Sequence, residues 1–257
     1  MSRGQLDKSD LARIDAELPD LHPLWRVVND LSPEIAAMVT SPESTVPTAA
    51  VCFKDASDAL SEARFAIHEY HAHRIWYRER RDPPRLIEAV FFEKYFLDDV
   101  ALRLYAAAEH LATAVVCMLE IPRVELKAHK NGRASRQQLV GRYLLEQRRG
   151  HPVTSAINKL VESKEWSKTR RYRNDWVHSQ PPTVHGLGIV FDRGPRWKGN
   201  TLEVGGGDKP RYTTQELFGF IDPALRVFTV TVDECLQAYA AILREKGCSI
   251  SGEAGGI

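Results

Sequence analysis

Apolar residues recur at helical spacing along most of the chain. Over residues 55–81, Ala59, Leu60, Ala63, Ile67, Tyr70 and Tyr77 fall near one side of a helix, and Asp82-Pro83-Pro84 ends the run. The longest apolar pattern follows, from Leu86 to Glu120, with Pro84 at its start and Pro122 as its stop. Val90, Phe91, Tyr95, Leu97, Leu102, Tyr105, Leu111 and Val115 give this helix enough apolar surface for two neighbours, which suits the centre of a bundle. A basic loop at 123–133 ends in the turn signal Asn131-Gly132 and leads to a third helix, 134–149, with Gly150 as its C-cap. His151-Pro152 opens a further helical stretch that runs to His178, with a kink expected near Ser163. Last comes 213–246, where Leu217, Phe218, Ile221, Leu225, Phe228, Val232, Leu236, Tyr239 and Ile242 trace a stripe with a kink expected at Pro223.

Two stretches depart from that texture. Pro19, Pro23, Pro33, Pro42 and Pro47 punctuate residues 1–50, which read as an N-terminal arm with short helices at 9–18 and 33–39. Trp25, Val27, Val28 and Leu31 are the residues expected to lay it on the main body. After Pro181-Pro182, residues 187–191 and 196–204 read as short strands around the turn-like 192–195. The Gly205-Gly206-Gly207-Asp208 run lacks the Lys-Ser/Thr of a phosphate loop and reads as a connector. The fold prediction is therefore all-α: an up-down helical bundle of about four main helices over 51–257, with a small β-hairpin insertion at about 186–204 and the arm at 1–50.

Composition narrows the class. With 257 residues, 43% hydrophobic and 27% charged, the chain can bury a substantial core and has the profile of a soluble protein. There is no unbroken apolar run of about 18 residues and no signal-type apolar segment, so a cytoplasmic location and no membrane partner are expected. Cys52, Cys117, Cys235 and Cys248 are scattered without a Cys-x-x-Cys pair, which predicts reduced thiols rather than a disulfide frame or zinc site. His68 and His71 share a helix face, but no convincing third ligand follows and His73 is better placed to pair with Glu69; no metal or cofactor is expected.

Charge changes the picture further. The net charge of +1 hides eight basic residues against two acidic ones between Arg123 and Arg149, a surplus of six that includes Arg133 and Arg136. Such a segment is either a phosphate-attracting surface or a solvated basic loop. Downstream, Thr169-Arg170-Arg171-Tyr172-Arg173-Asn174-Asp175-Trp176-Val177-His178 gathers three arginines, an amide, a carboxylate and an imidazole before the double proline. Arginine suits phosphate oxygens and histidine moves protons near neutral pH, the two needs of metal-free phosphodiester cleavage. Asn174 and His178 lie one turn apart on one face, with Arg170 a turn earlier and Lys168 nearby. Arg173 sits about 140° from His178 on an ideal helix, so it must reach across with its long side chain or act at a site completed by a second surface. Asp98, Asp99 and Glu109 of the long apolar helix are candidates to pair with Arg170, Arg171 or Arg173 and to orient them.

The spacing Arg173-Asn174-Asp175-Trp176-Val177-His178 resembles the Arg-Asn-x-x-x-His signature of the HEPN superfamily, over roughly residues 54–180. The resemblance implies a helical bundle acting as a homodimer whose paired motifs line one cleft and cut RNA without a metal. Arg173 and His178 would be catalytic, with Asn174 the polar residue that follows the arginine. His178 would take the proton of a ribose 2′-OH or protonate the leaving 5′-oxygen, Arg173 would stabilise the phosphorane, and the product would carry a 2′,3′-cyclic phosphate. Lys168, Arg170, Arg171, Arg133 and Arg136 would bind RNA. Members often serve as toxins or defence effectors, which implies a separate antitoxin or regulatory partner protein. Two other readings stay open on the residues alone. One is a catalytically inactive RNA- or protein-binding module on the same bundle. The other is a helical scaffold in which the stretch is a charged surface and His178 only caps helix carbonyls.

Overall fold

The computed structural model describes residues 6–129, 134–178, 182–187, 196–198, 201–203 and 211–248, and it is predominantly helical. Two antiparallel helices of 33 residues each, α4 (Val46–Arg78) and α5 (Leu86–Met118), form its spine. Three helices precede them: α1 (Lys8–Glu17), α2 (His22–Asp30) and α3 (Pro33–Met38). After them come α6 (Arg123–Ala128), α7 (Arg136–Gln147), α8 (Pro152–Glu162), α9 (Lys164–His178) and the 32-residue α10 (Thr214–Glu245). Strands β1 (Arg196–Lys198) and β2 (Thr201–Glu203) pair antiparallel, with Trp197 opposite Leu202.

Alanines let the spine helices approach closely. Ala49, Ala56, Ala63 and Ala66 of α4 and Ala101, Ala107, Ala108 and Ala112 of α5 are all but fully buried. Polar pairs run the length of the seam: Arg78 grips Glu93 at 2.6 and 3.0 Å, Arg103 binds Glu62 at 2.5 Å and His110 faces Asp55 at 3.6 Å. Glu93 is 1% exposed and also accepts from Thr214 at the start of α10. That carboxylate therefore ties three helices together. By length and hydropathy α5 passes for a membrane-crossing helix, and 56% of its most apolar window is buried within this fold. It carries Asp98, Asp99 and Arg103 and packs as a core helix against α4 and α10.

The N-terminal helices share that core. Ile14, Leu21, Leu24, Leu31 and Ala36 are buried in one cluster with Phe53 and Phe228. Arg80 holds Asp10 at 2.8 Å and Arg226 donates to the Glu17 carbonyl. Trp25 stays 41% exposed while its indole donates to Ser61 at 2.9 Å, Val28 packs at the edge of the core, and the Val27 side chain lies outside the described atoms.

Several boundaries differ from the sequence reading, each for a local reason. Helix α4 begins nine residues before the expected 55, because Pro47 occupies its first turn, where a missing N–H costs no helical bond. Pro23 likewise sits in the first turn of α2, a helix the proline punctuation concealed. Residues 123–128 form helix α6 rather than loop. Gly150 is not a left-handed cap; α7 ends at Gln147 with Arg148 at φ −138°. The kink at Ser163 is a full break: its φ/ψ of −59/126° ends α8, and its hydroxyl accepts from Trp166 N at 3.1 Å to start α9. Helix α10 runs unbroken through Pro223. Proline there leaves the Gly219 carbonyl without its helical donor, and at the adjacent Phe220 carbonyl the Thr169 hydroxyl of α9 docks at 3.3 Å.

His68, His71 and His73 are buried on α4. His73 Nδ1 is 2.9 Å from the Glu69 carbonyl oxygen and its ring lies against Phe92 and Phe96, while His71 faces Glu17 at 3.5 Å. Among the described residues no group of three or more His, Cys, Asp or Glu is arranged to hold a metal, and none of the four cysteines is paired.

Candidate active site

Helix α9 is amphipathic, with one buried side and one polar side. Trp166, Thr169 and Tyr172 are buried, whereas Ser167, Arg170, Arg171, Asn174, Asp175 and His178 recur at three- and four-residue steps on the other face. These six line a cleft of about 910 Å³, closed by Tyr105 of α5 and by Ala134, Ser135 and Gln138 at the start of α7. The cleft therefore sits where two arginines meet a helix N-terminus, a combination that favours anions.

Asp98 fixes α9 against α5. It accepts from the Tyr172 hydroxyl, from the Trp176 indole at 3.1 Å and from Lys94 at 2.5 Å. Burial, with the charge of Asp98 and its hydrogen bond, pushes the Tyr172 phenol far above its ordinary range. The expectation that Asp98 pairs with a motif arginine is corrected: the buried Tyr172 and the half-buried Trp176 of the same helix occupy it. Asp99 is also not an arginine partner for the motif, since it faces Arg103 of its own helix at 3.3 Å. Glu109 is closer to expectation. Burial raises its pKa, with Arg136 and then Arg173 pulling the other way, and its Oε1 is buried without a hydrogen bond among the described residues.

Arg173 reaches His178 within one chain. Its Nη1 lies 3.4 Å from His178 Nε2 and 3.2 Å from Asn174 Oδ1, and its guanidinium carbon lies 3.8 Å from the centroid of the Tyr105 ring. The long side chain spans the 140° offset, so a second surface is not required to bring the two together. Guanidinium cannot accept a hydrogen bond, so His178 Nε2 can enter this contact only as the acceptor. An imidazole nitrogen in that position can take a proton once the guanidinium turns away, which is the chemistry of a general base.

The other anticipated residues divide. Arg170 and Arg171 line the cleft, and Arg170 Nη1 donates to Ser135 Oγ at 3.2 Å. Burial lowers the Arg170 pKa from its ordinary value, opposed by Tyr105 and helped by Arg171, without discharging a guanidinium at neutral pH. Lys168 and Arg136 are exposed and do not line the cleft, although Arg136 acts on Glu109 from nearby. Arg133 lies outside the described residues.

Tyr105, Ser135, Gln138 and Asp175 were not anticipated. The Ser135-x-x-Gln138 capping box was legible: Gln138 Oε1 accepts from the Ser135 N–H at 3.1 Å. Asp175 faces Arg211 at 3.7 Å, beside the place where 182–187 and 211–212 meet. There Val184 bridges Tyr212, and His185 N donates to Tyr212 O at 3.0 Å. Comparison with family models, with curated proteins and with solved structures finds no match.

Proposed function

We propose that this chain is a metal-independent endoribonuclease of HEPN type. The observation that carries the reading is the meeting of Arg173, Asn174 and His178 at the edge of a cleft lined by Arg170, Arg171 and the α7 N-terminus. In this proposal RNA lies in the cleft with a phosphate facing the two arginines. His178 Nε2 takes the 2′-OH proton, the 2′-oxygen attacks phosphorus, and the bond to the 5′-oxygen breaks as that oxygen takes a proton from water, leaving a 2′,3′-cyclic phosphate and a 5′-hydroxyl. Arg173 turns its Nη1 from the imidazole to the phosphorane oxygens, and Asn174 steadies whichever position the guanidinium holds.

The proposal includes an up-down bundle of about four main helices with a β-hairpin insertion, a cytoplasmic setting, and a role as toxin or defence effector with a regulatory partner protein. A homodimer is part of it, now resting on exposed apolar residues rather than on reach. Ile87, Phe91 and Tyr95 form an exposed stripe at successive turns of α5.

One observation favours a second reading, a catalytically inactive RNA- or protein-binding module. Arg173 is folded onto Tyr105 with its Nε buried and without a hydrogen bond among the described residues, a placement that also suits a packing role. The test is cleavage of single-stranded RNA by wild type, His178→Ala and Arg173→Ala, in EDTA. An enzyme loses on the order of 10²-fold or more in each variant with folding intact, and does not cut 2′-deoxy substrate. A binding module cuts nothing and loses affinity in Arg173→Ala. EDTA-resistant cleavage of single-stranded DNA would overturn the 2′-OH mechanism.

A further inference from the structure

The contact between Arg173 and His178 depends on a surface that neither residue supplies. An unrestrained arginine explores many rotamers, and only a fraction of them cross 140° of helix circumference. The two polar contacts of its Nη1, at 3.2 and 3.4 Å, are at or beyond the long end for hydrogen bonds, so they record a direction more than they impose one. Its Nε makes no hydrogen bond among the described residues. What bounds the guanidinium is the Tyr105 ring, 3.8 Å from its carbon. One turn further along α5 lies Glu109, a carboxyl on which Arg173 acts electrostatically.

We propose that Tyr105 is a positioning residue: its ring face holds the Arg173 guanidinium against His178 and so sets the geometry in which the two address one phosphodiester. This rests on the ribonuclease reading of the site. The ring face makes the contact, so phenylalanine should replace tyrosine and a ringless side chain should not.

The experiment compares wild type with Tyr105→Phe, Tyr105→Leu and, as a second ringless variant in case leucine misfolds, Tyr105→Gln. The first readout is the Arg173 side-chain N–H resonance, assigned by its loss in Arg173→Ala. The ring should displace it in wild type and Tyr105→Phe, and the displacement should vanish in the ringless variants. The second is the steady-state rate on a single-stranded RNA oligonucleotide. Ringless variants should lose on the order of 10-fold or more in kcat with KM nearly unchanged, and Tyr105→Phe should restore it. A displaced resonance that survives loss of the ring overturns the proposal, as does a Tyr105→Phe variant as slow as Tyr105→Leu. If wild type cuts no RNA, the ribonuclease reading fails by itself, and the resonance alone decides whether Tyr105 positions Arg173.

Discussion

Trp176 on α9 donates its indole N–H to Asp98 on α5 at 3.1 Å, and Tyr172, one turn earlier, donates its hydroxyl to the same carboxylate. Two donors on one helix closing on one acceptor fix both the rotation of α9 and its height along α5. That is how Arg173 comes to lie over Tyr105 rather than in solvent. Asp98→Ala removes the acceptor from two aromatic donors and from Lys94 at once. The expected loss in urea unfolding is about 2–4 kcal/mol, since it strands buried polar partners. Asp98→Asn, which keeps an acceptor oxygen, should lose less. A change below about 0.5 kcal/mol for Asp98→Ala, the range of ordinary surface substitutions, would show the bracket to be idle.

Glu93 tests the fold apart from the site. It is 1% exposed and held by Arg78 and Thr214, and it does not line the α9 cleft. Glu93→Ala should destabilise by about 3–5 kcal/mol by leaving the Arg78 charge poorly paired. At a temperature where the variant remains folded, RNA binding should match wild type, and a specific loss of binding would contradict the separation of the two regions.

Arg171 and Arg136 should separate in RNA binding. Arg171 lines the cleft, whereas Arg136 does not. Filter-binding titrations over a salt series should show Arg171→Ala lowering affinity and reducing the slope of log K against log salt by about 0.7, the single-strand value for one phosphate contact. Arg136→Ala should leave the slope nearly unchanged. The reverse result would move the interface to the outer face of α7.

Stability should fall on both sides of neutrality for different reasons. Burial holds His71, His73 and His151 below the ordinary histidine value. The unfolded chain then takes up protons that the folded one refuses, so stability is lost as pH drops below about 6.5. At the other end, Tyr172 and Tyr70 are raised, Tyr70 to about 12, chiefly by burial. The unfolded chain releases protons that the folded one keeps, so stability is lost as pH rises above about 10. Thermal melts across pH should show both slopes, and Tyr172→Phe should lessen the alkaline one only.

What the sequence made legible follows from how local each feature is. Helices α5 and α10 announce themselves because a 3.6-residue repeat over more than thirty residues needs no knowledge of neighbours. Helix α2 was hidden because Pro23 reads as a breaker unless one knows that it occupies a first turn. In the site, Arg173, Asn174 and His178 were legible as one short run. Tyr105 was not, because its apolar spacing on α5 marks it as core; only the docking of α9 turns its ring toward a guanidinium. The partners of Asp98 differ for the same reason: arginine is the obvious mate for a carboxylate in a sequence, while the docking of α9 brings Tyr172 and Trp176 to it.

The bridge between Val184 and Tyr212 returns the chain, after more than twenty residues, to the spot it left. Gly186, at φ +94°, holds a backbone conformation that a side chain would strain, and it packs beside the Val90 methyls. The described residues on either side of 188–210 are thus joined at one point, beside Asp175 and Arg211 at the rim of the cleft. A change of chain length between those two ends need not disturb any of the helices, because the ends are already held together.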